Sequence, residues 1–330
     1  MEKKQQFIGA LVGCAIGDAL GAPIEGWTRE KILGLDGLTE RYRQVHHKNR
    51  NIHFPMGQYT DDTQLTLAIV RGILDYGEVD GGAIAAQFVK LWESKEIVGA
   101  GVVATNAVQR LIRGIPWNEA ALSDDEPWNG AAMRIAPIGV WNHDRPERMK
   151  GDVFTTSVIT HRHPQAISGA LAIAGAVSFV VTHEKFSANE LLTAIADIVV
   201  TSDRELAEHV LLISDWIALP EIEALHCLDA LMSEESNLSR DGWFGVPVMT
   251  EPTVLMALYA FIRSPNDFTQ TVETALCAGG DVDTTAAIAG AISGAYNGVS
   301  ALPRSLALTV LNSEEIHRLG EQFYRLWMKR

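Results

Sequence analysis

The stretch Thr60-Asp61-Asp62-Thr63-Gln64-Leu65-Thr66-Leu67-Ala68-Ile69-Val70-Arg71-Gly72-Ile73 decides the fold class. Leu65, Ala68, Ile69, Gly72 and Ile73 recur at three- and four-residue intervals, the spacing of one buried face of an α-helix. The same rhythm runs through Val103, Ala107, Val108, Leu111 and Ile112, and through residues 191–200, 206–219, 254–262, 284–296 and 316–328. Alternating strand patterns are scarce, so the chain reads as almost all-α with many helices. Gly and Pro punctuate it near Gly81-Gly82, Gly114-Ile115-Pro116, residues 123–127, Arg145-Pro146, Pro220, residues 239–247 and Ser264-Pro265. No low-complexity linker or clear internal repeat divides residues 1–330, which favours a single domain.

The head of the quoted stretch carries chemistry. Thr60-Asp61-Asp62-Thr63 has a distant counterpart in Asp281-Val282-Asp283-Thr284, and each is set where a loop runs into an apolar helix. Carboxylates and hydroxyls are hard oxygen ligands, suited to Mg²⁺ or Mn²⁺ rather than zinc. Inside a helix neighbouring residues diverge by about 100°, so neither pair is expected to converge there. In an extended segment Asp281 and Asp283 share one face about 6.6 Å apart, and Gly279-Gly280 permits a tight approach. That geometry suits two ions roughly 3.5 to 4 Å apart. The competing reading is a pair of ordinary helix caps, because Asp and Thr are favoured at helix starts.

Composition narrows the function. With 47% hydrophobic residues the chain can bury a large core. Its 27 basic and 41 acidic residues leave a formal charge of −14 without a long Lys/Arg run, which argues against nucleic-acid and anionic-membrane partners. Cys14, Cys227 and Cys277 are scattered and lack metal-ligand spacing, pointing to a reducing cytoplasm. Residues 7–20 are apolar but interrupted by Gly13, Gly17 and Asp18, with no small-residue cleavage signal. The longest apolar stretch, residues 166–181, is short for a membrane span and reads as a buried helix packed through small residues.

Five segments in order resemble one family: Gly17-Asp18-Ala19-Leu20-Gly21 followed by Glu25; Tyr59-Thr60-Asp61-Asp62-Thr63; Asn129-Gly130-Ala131-Ala132-Met133-Arg134-Ile135-Ala136-Pro137; Thr160-His161; and Gly279-Gly280-Asp281-Val282-Asp283-Thr284. Together they are similar to the ADP-ribosylglycohydrolases over nearly the whole chain. The resemblance implies one compact all-α orthogonal bundle with a central cleft holding two Mg²⁺ or Mn²⁺ ions. It implies hydrolysis of the bond joining ADP-ribose to an acceptor on an ADP-ribosylated protein or a small ADP-ribose conjugate. By motif, Thr60, Asp61 and Asp62 would bind metal from one side and Asp281, Asp283 and Thr284 from the other. The family commonly has Thr where this chain has Val282, a position expected to pack rather than coordinate.

Glu25 matches a glutamate beside the reacting sugar, a candidate for positioning water or moving a proton, and Asp61, Asp62 and Asp283 join it as candidate catalytic carboxylates. Gly130, Ala131, Ala132 and Met133 would bind substrate, with a helix starting near Ala131 aimed at the diphosphate. His161 matches the histidine that contacts the distal part of ADP-ribose. Arg162 and His163 add candidates for phosphate, although His163 also suits the end of a loop before a helix opened by Pro164. Trp117, Trp128, Trp141 and Trp243 read as core or cleft walls. Trp243 and Phe244, between Gly242 and Gly245, are favoured for stacking on adenine. His46, His47, His53 and the basic run over residues 41–50 read as solvated loop.

Arginine is the favoured linkage, with serine or another O-linkage, including O-acetyl-ADP-ribose, as the runner-up. A prenyl-diphosphate enzyme is disfavoured, because a further aspartate one turn after the acidic pair is missing and Leu65 follows Gln64. A binding module that keeps the fold without turnover is the third reading.

Overall fold

In a computed structural model of the chain, the described residues are 2–45, 54–122, 126–231 and 245–330. They form sixteen α-helices in the order α1 (Lys3–Gly21), α2 (Arg29–Leu33), α3 (Asp61–Tyr76), α4 (Gly81–Glu93), α5 (Val102–Ile112), α6 (Ala136–Trp141), α7 (Pro146–Ser157), α8 (Pro164–Thr182), α9 (Ala188–Val199), α10 (Arg204–Trp216), α11 (Glu221–Leu231), α12 (Thr250–Arg263), α13 (Phe268–Cys277), α14 (Val282–Asn297), α15 (Arg304–Thr309) and α16 (Ser313–Trp327). Among the described residues there is no strand, only isolated bridges pairing Trp27 with Gly280, Val246 with Gly280 and Trp128 with Met249. The all-α expectation holds.

Each segment with apolar three- and four-residue spacing is helical. Four more helices, α4, α7, α11 and α13, start at or just after Gly or Pro that reads as punctuation. Gly81 and Gly82 open α4, where the Asp80 carboxylate accepts from the Ala83 amide at 2.8 Å and supplies the cap. A Cβ at Gly81 would lie 2.5 Å from the Trp117 ring, so this glycine serves packing rather than a turn. Pro146 is the first residue of α7, a position where its missing N–H costs nothing. Asp267 caps α13 just beyond Ser264-Pro265, accepting from the Gln270 amide at 3.0 Å.

The centre of the molecule is α1 packed antiparallel on α14. Gly9, Gly13, Gly17 and Gly21 recur every fourth residue along one face of α1. A Cβ on each would fall 2.1 Å from the Gly294 carbonyl oxygen, 2.2 Å from that of Gly290, 2.0 Å from that of Ala286 and 2.4 Å from the Asp283 Cα. No side chain fits between these backbones, so the helices meet at closer range than ordinary helix pairs. The consequence reaches the site, because the pairing lays the C-terminal end of α1 beside the first turn of α14.

By length and composition, residues 3–24 and α8 are each apolar enough to cross a membrane, yet 89% and 78% of those windows are buried inside the molecule. Both are interior helices, all-round apolar because neighbours cover every face.

Candidate active site

Asp61 and Asp62 are the first two residues of α3, Asp281 sits at the N-cap of α14, and Asp283 lies in its first turn. This corrects the extended-segment geometry expected for Asp281 and Asp283. Convergence needs no shared face, because Cα–Cβ bonds tilt toward the helix N-terminus and first-turn side chains fan outward beyond the helix end. Two such ends meet here. Carboxylate oxygens of Glu25, Asp281 and Asp283 all lie within 4.8 Å of one another.

The cap reading also fails, for a specific reason. Thr60 and Asp281 occupy the N-cap positions, and neither side chain caps its own helix. The first turn of α3 is capped from another helix: the Asp18 carboxylate on α1 accepts the Thr60 amide at 2.9 Å and the Thr63 amide at 3.0 Å, and takes the Thr63 hydroxyl at 2.6 Å. The Thr60 hydroxyl lies 2.9 Å from Asp18 Oδ1 and 3.1 Å from Asp62 Oδ2. With the Thr60 and Thr63 amides taken by Asp18, the Asp61 and Asp62 side chains are not needed for that cap and line the cavity.

The loop before α14 is fixed equally tightly. Gly279 and Gly280 both have positive φ, 78° and 79°, and a Cβ on Gly280 would lie 2.2 Å from the Val246 carbonyl oxygen. Gly280 donates its amide to Trp27 and accepts from Gly26, while Asp281 donates to Val246 at 2.8 Å. These bonds tie the Glu25 loop to the Asp281 loop. Asn129 Nδ2 bridges Asp281 Oδ2 at 2.5 Å and the Thr253 hydroxyl at 2.9 Å.

Thr60, Asp61, Asp62, Asp281, Asp283 and Thr284 are all buried, whereas Glu25 is exposed at the rim. Burial is the first cause that raises the carboxyls. It lifts Asp61 to about 8, reinforced by the charges of Asp18, Glu25 and Asp281. Asp62 and Asp283 are pushed well above the ordinary range by burial and by neighbouring carboxylates, and Asp281 is raised by burial against three hydrogen bonds that oppose it. Asp18 rises to about 6, held down by the threonine donors it accepts. Crowded carboxylates in a dry site call for positive charge. Asp62 Oδ1 is buried without a partner among the described residues, and every available donor is a hard oxygen. The residues present therefore fit a divalent cation such as Mg²⁺ or Mn²⁺.

A cavity of about 380 Å³ lies against these carboxylates. Glu25, Asp61, Asp62, Asp281, Asp283 and Thr284 line it together with Trp128, Gly130, Met133, His161, Val102 and Val248, among others. Ala131 and Ala132 are fully buried and do not line it. The expected helix start near Ala131 is a 3₁₀ turn over Asn129–Ala131, with the next α-helix beginning at Ala136. The amides of Ala132 and Met133 both donate to the Asn129 carbonyl, which closes the turn, and the Asn129 amide donates to the Val248 carbonyl. What Gly130 provides is room: a Cβ there would stand 2.5 Å from the His161 ring.

His163 caps α8, accepting from the Gln165 amide at 3.3 Å, and Arg162 holds the Asn118 carbonyl at 3.1 Å, so neither lines the cavity. Of the tryptophans, Trp128 lines the cavity, Trp117 packs on Gly81, and Trp141 stacks on Phe323 in the core. Val282 is buried, as expected of a packing residue. Trp243, Phe244, His46, His47 and His53 lie outside the described residues. From sequence, Asn129 and Arg134 belong to a segment, residues 129–137, expected to serve binding as a whole, and Asp18 stands in a motif without a role of its own. The available signal was an ionisable side chain inside an apolar helix for Asp18, and nothing comparable for Asn129.

Fold and site together define an all-α protein with a carboxylate-walled cleft at the meeting point of two helix starts. The ADP-ribosylglycohydrolase family model matches residues 1–330, and the chain belongs to that family. It is an ADP-ribosyl glycohydrolase by that membership. Among its relatives is the ADP-ribosyl-[dinitrogen reductase] glycohydrolase of Rhodospirillum rubrum, 26% identical over 90% of this chain and 87% of the relative. Another is the ADP-ribosylarginine hydrolase Tri1 of Serratia proteamaculans, 22% identical over 96% and 78%. A solved ADP-ribosylglycohydrolase-related protein complex shares the fold, with a TM-score of 0.76 at 24% identity over 99% of both chains.

Proposed function

We propose that residues 1–330 act as one catalytic domain that removes ADP-ribose from arginine on a modified protein in a reducing cytoplasm, using two Mg²⁺ or Mn²⁺ ions. The observation that carries this reading is the convergence of Glu25, Asp61, Asp62, Asp281, Asp283 and Thr284 on one cavity that Gly130, Met133 and His161 also line. Thr60, Asp61 and Asp62 would hold the ions from α3, and Asp281, Asp283 and Thr284 from α14. When bound, such ions supply Lewis acidity and fixed positive charge beside the reacting sugar.

The chain's own residues do the rest. Asp61 and Asp283 lie where oxocarbenium-like charge develops on the ribose, and their negative charge favours that transition state. Glu25, at the rim and within 4.8 Å of the Asp281 and Asp283 carboxylates, is placed to orient the attacking water and accept its proton. Met133 and Trp128 exclude water, and His161 holds the remainder of ADP-ribose. The exposed Glu25 at the rim complements a guanidinium acceptor, and the Serratia relative, an ADP-ribosylarginine hydrolase, supports the same linkage.

The experiment offers arginine-linked, serine-linked and O-acetylated ADP-ribose to the purified protein, with Mg²⁺ or Mn²⁺ and with chelator. Release of ADP-ribose from the arginine conjugate, lost with chelator, is the expected result. Faster cleavage of an O-linked conjugate overturns the linkage, and tight binding without release overturns turnover itself.

A further inference from the structure

Arg134 is among the largest fully buried side chains in the molecule, and its Nε and Nη1 have no partner among the described residues. Its Nη2 donates to the Thr160 hydroxyl at 2.6 Å and reaches the Thr156 carbonyl at 3.4 Å, and its guanidinium lies 5.0 Å from the centre of the Phe88 ring. The Thr160 oxygen in turn lies 2.7 Å from His161 Nδ1. The backbone carrying this pair is fixed, since the amides of Thr160 and His161 both donate to the Ser157 carbonyl. Gly130 closes the other side of the imidazole, with room for no side chain.

We propose that Arg134 is a positioning residue that acts through the Thr160 hydroxyl to hold His161 as its Nε2–H tautomer, presenting a neutral hydrogen-bond donor to a phosphate or hydroxyl oxygen in the cleft. The argument is one of proton accounting. An arginine can only donate, so the Thr160 oxygen accepts from Arg134 and keeps one proton of its own. Among the described residues His161 Nδ1 is the acceptor in reach of that proton. Were Nδ1 itself protonated, Thr160 would face two donors and its own buried proton would lack an acceptor, which is costly away from water. With Nδ1 accepting, the two hydrogen bonds that link Arg134 Nη2, the Thr160 hydroxyl and His161 Nδ1 are both made, and the neutral ring carries its proton on Nε2.

Two further facts agree. Arg134, although lowered by burial, stays at about 9 and remains charged near neutrality. Burial, and then the Arg134 charge, push His161 down to about 3, so the ring stays neutral.

The tautomer stands on geometry alone; that its donor meets ADP-ribose rests on the function proposed above. Long-range proton–nitrogen correlation spectra of the whole protein, labelled with ¹⁵N-histidine and free of ligand at pH 7, read the tautomer directly. The expected wild-type result is a protonated Nε2 and an unprotonated Nδ1 for His161, assigned by the signal lost in His161→Gln. Thr160→Val should mix the tautomers and weaken ADP-ribose binding, measured by calorimetry with Mg²⁺, about tenfold, and Thr160→Ser should restore both. A wild-type Nδ1–H form, or a Thr160→Val spectrum unchanged from wild type, overturns the proposal, and the first needs no variant to fold. Should the spectra behave as expected while ADP-ribose fails to bind wild type, the lock stands and the reading of the cleft falls.

Discussion

Burial first, and then the charges of Glu25, Asp281, Asp62 and Asp18 around it, push the Asp283 carboxyl well above the ordinary carboxylate range. Asp283→Asn should therefore separate function from stability in opposite directions. Metal-dependent hydrolysis is expected to fall at least about a thousandfold, while without metal the variant melts higher than wild type by about 2 °C because one buried repulsion is gone. Turnover assays and thermal melts in chelator check the two halves, and a lower melting point would contradict the repulsion. Asn129 acts one step back, since its amide steadies Asp281 and Thr253. Asn129→Ala is expected to weaken Mn²⁺ binding by about 10- to 100-fold, measured by calorimetry, with the helices intact by circular dichroism. The acidic residues that meet at the cavity were legible from residue type and motif order. Asp18 was not, because its role is to receive amides from α3, and only the folded chain shows who the donors are.

At the scale of elements, α1 and α14 set the distance between the site's halves. Gly290 lies with a Cβ position 2.3 Å from the Gly13 carbonyl oxygen, so Gly290→Val must spread the two backbones. A cost of about 3 kcal/mol or more is expected in urea unfolding, together with lost hydrolysis at temperatures where the variant is still folded, because α14 carries Asp283 and Thr284. Full activity in a folded Gly290→Val would show that the close pairing is not what places the ligands. Periodicity identified the amphipathic helices, such as α3, α5 and α9, whose apolar residues cluster on one face. It gave no helical signal for α1, which is buried on every side, nor for α4 and α7, which begin at Gly81 and Pro146. Whether a glycine opens a helix or breaks one depends on what packs against it. For Gly81 that is Trp117, distant in sequence.

For the whole molecule the clustered carboxyls tie stability to pH and metal. Asp18 at about 6 and Asp61 at about 8 in the folded protein stand above an ordinary value of 3.8. Between about pH 4 and 8 the folded, metal-free protein thus keeps protons that the unfolded chain has released. Stability must fall as pH rises across that window. A divalent cation that takes the ionised carboxylates removes the penalty. The gap in melting temperature between Mn²⁺ and chelator is expected to be small at pH 5 and to widen steadily to pH 8. A gap that narrows over that range would mean the carboxyls are not what the metal meets.

By itself the sequence determined the helical class and the hard-oxygen character of the two acidic clusters, because periodicity and ligand chemistry are properties of residues and their near neighbours. Motif order also singled out Gly130 and His161, which line the cavity, together with Ala131 and Ala132, which are buried beside it. The tertiary structure decided which carboxylates share a cavity, which one caps α3 instead, and how Arg134 reaches His161. Those outcomes depend on contacts between segments far apart in the chain. The glycine-lined contact of α1 with α14 makes such contacts close enough to matter, and no local pattern encodes the register at which two helices meet.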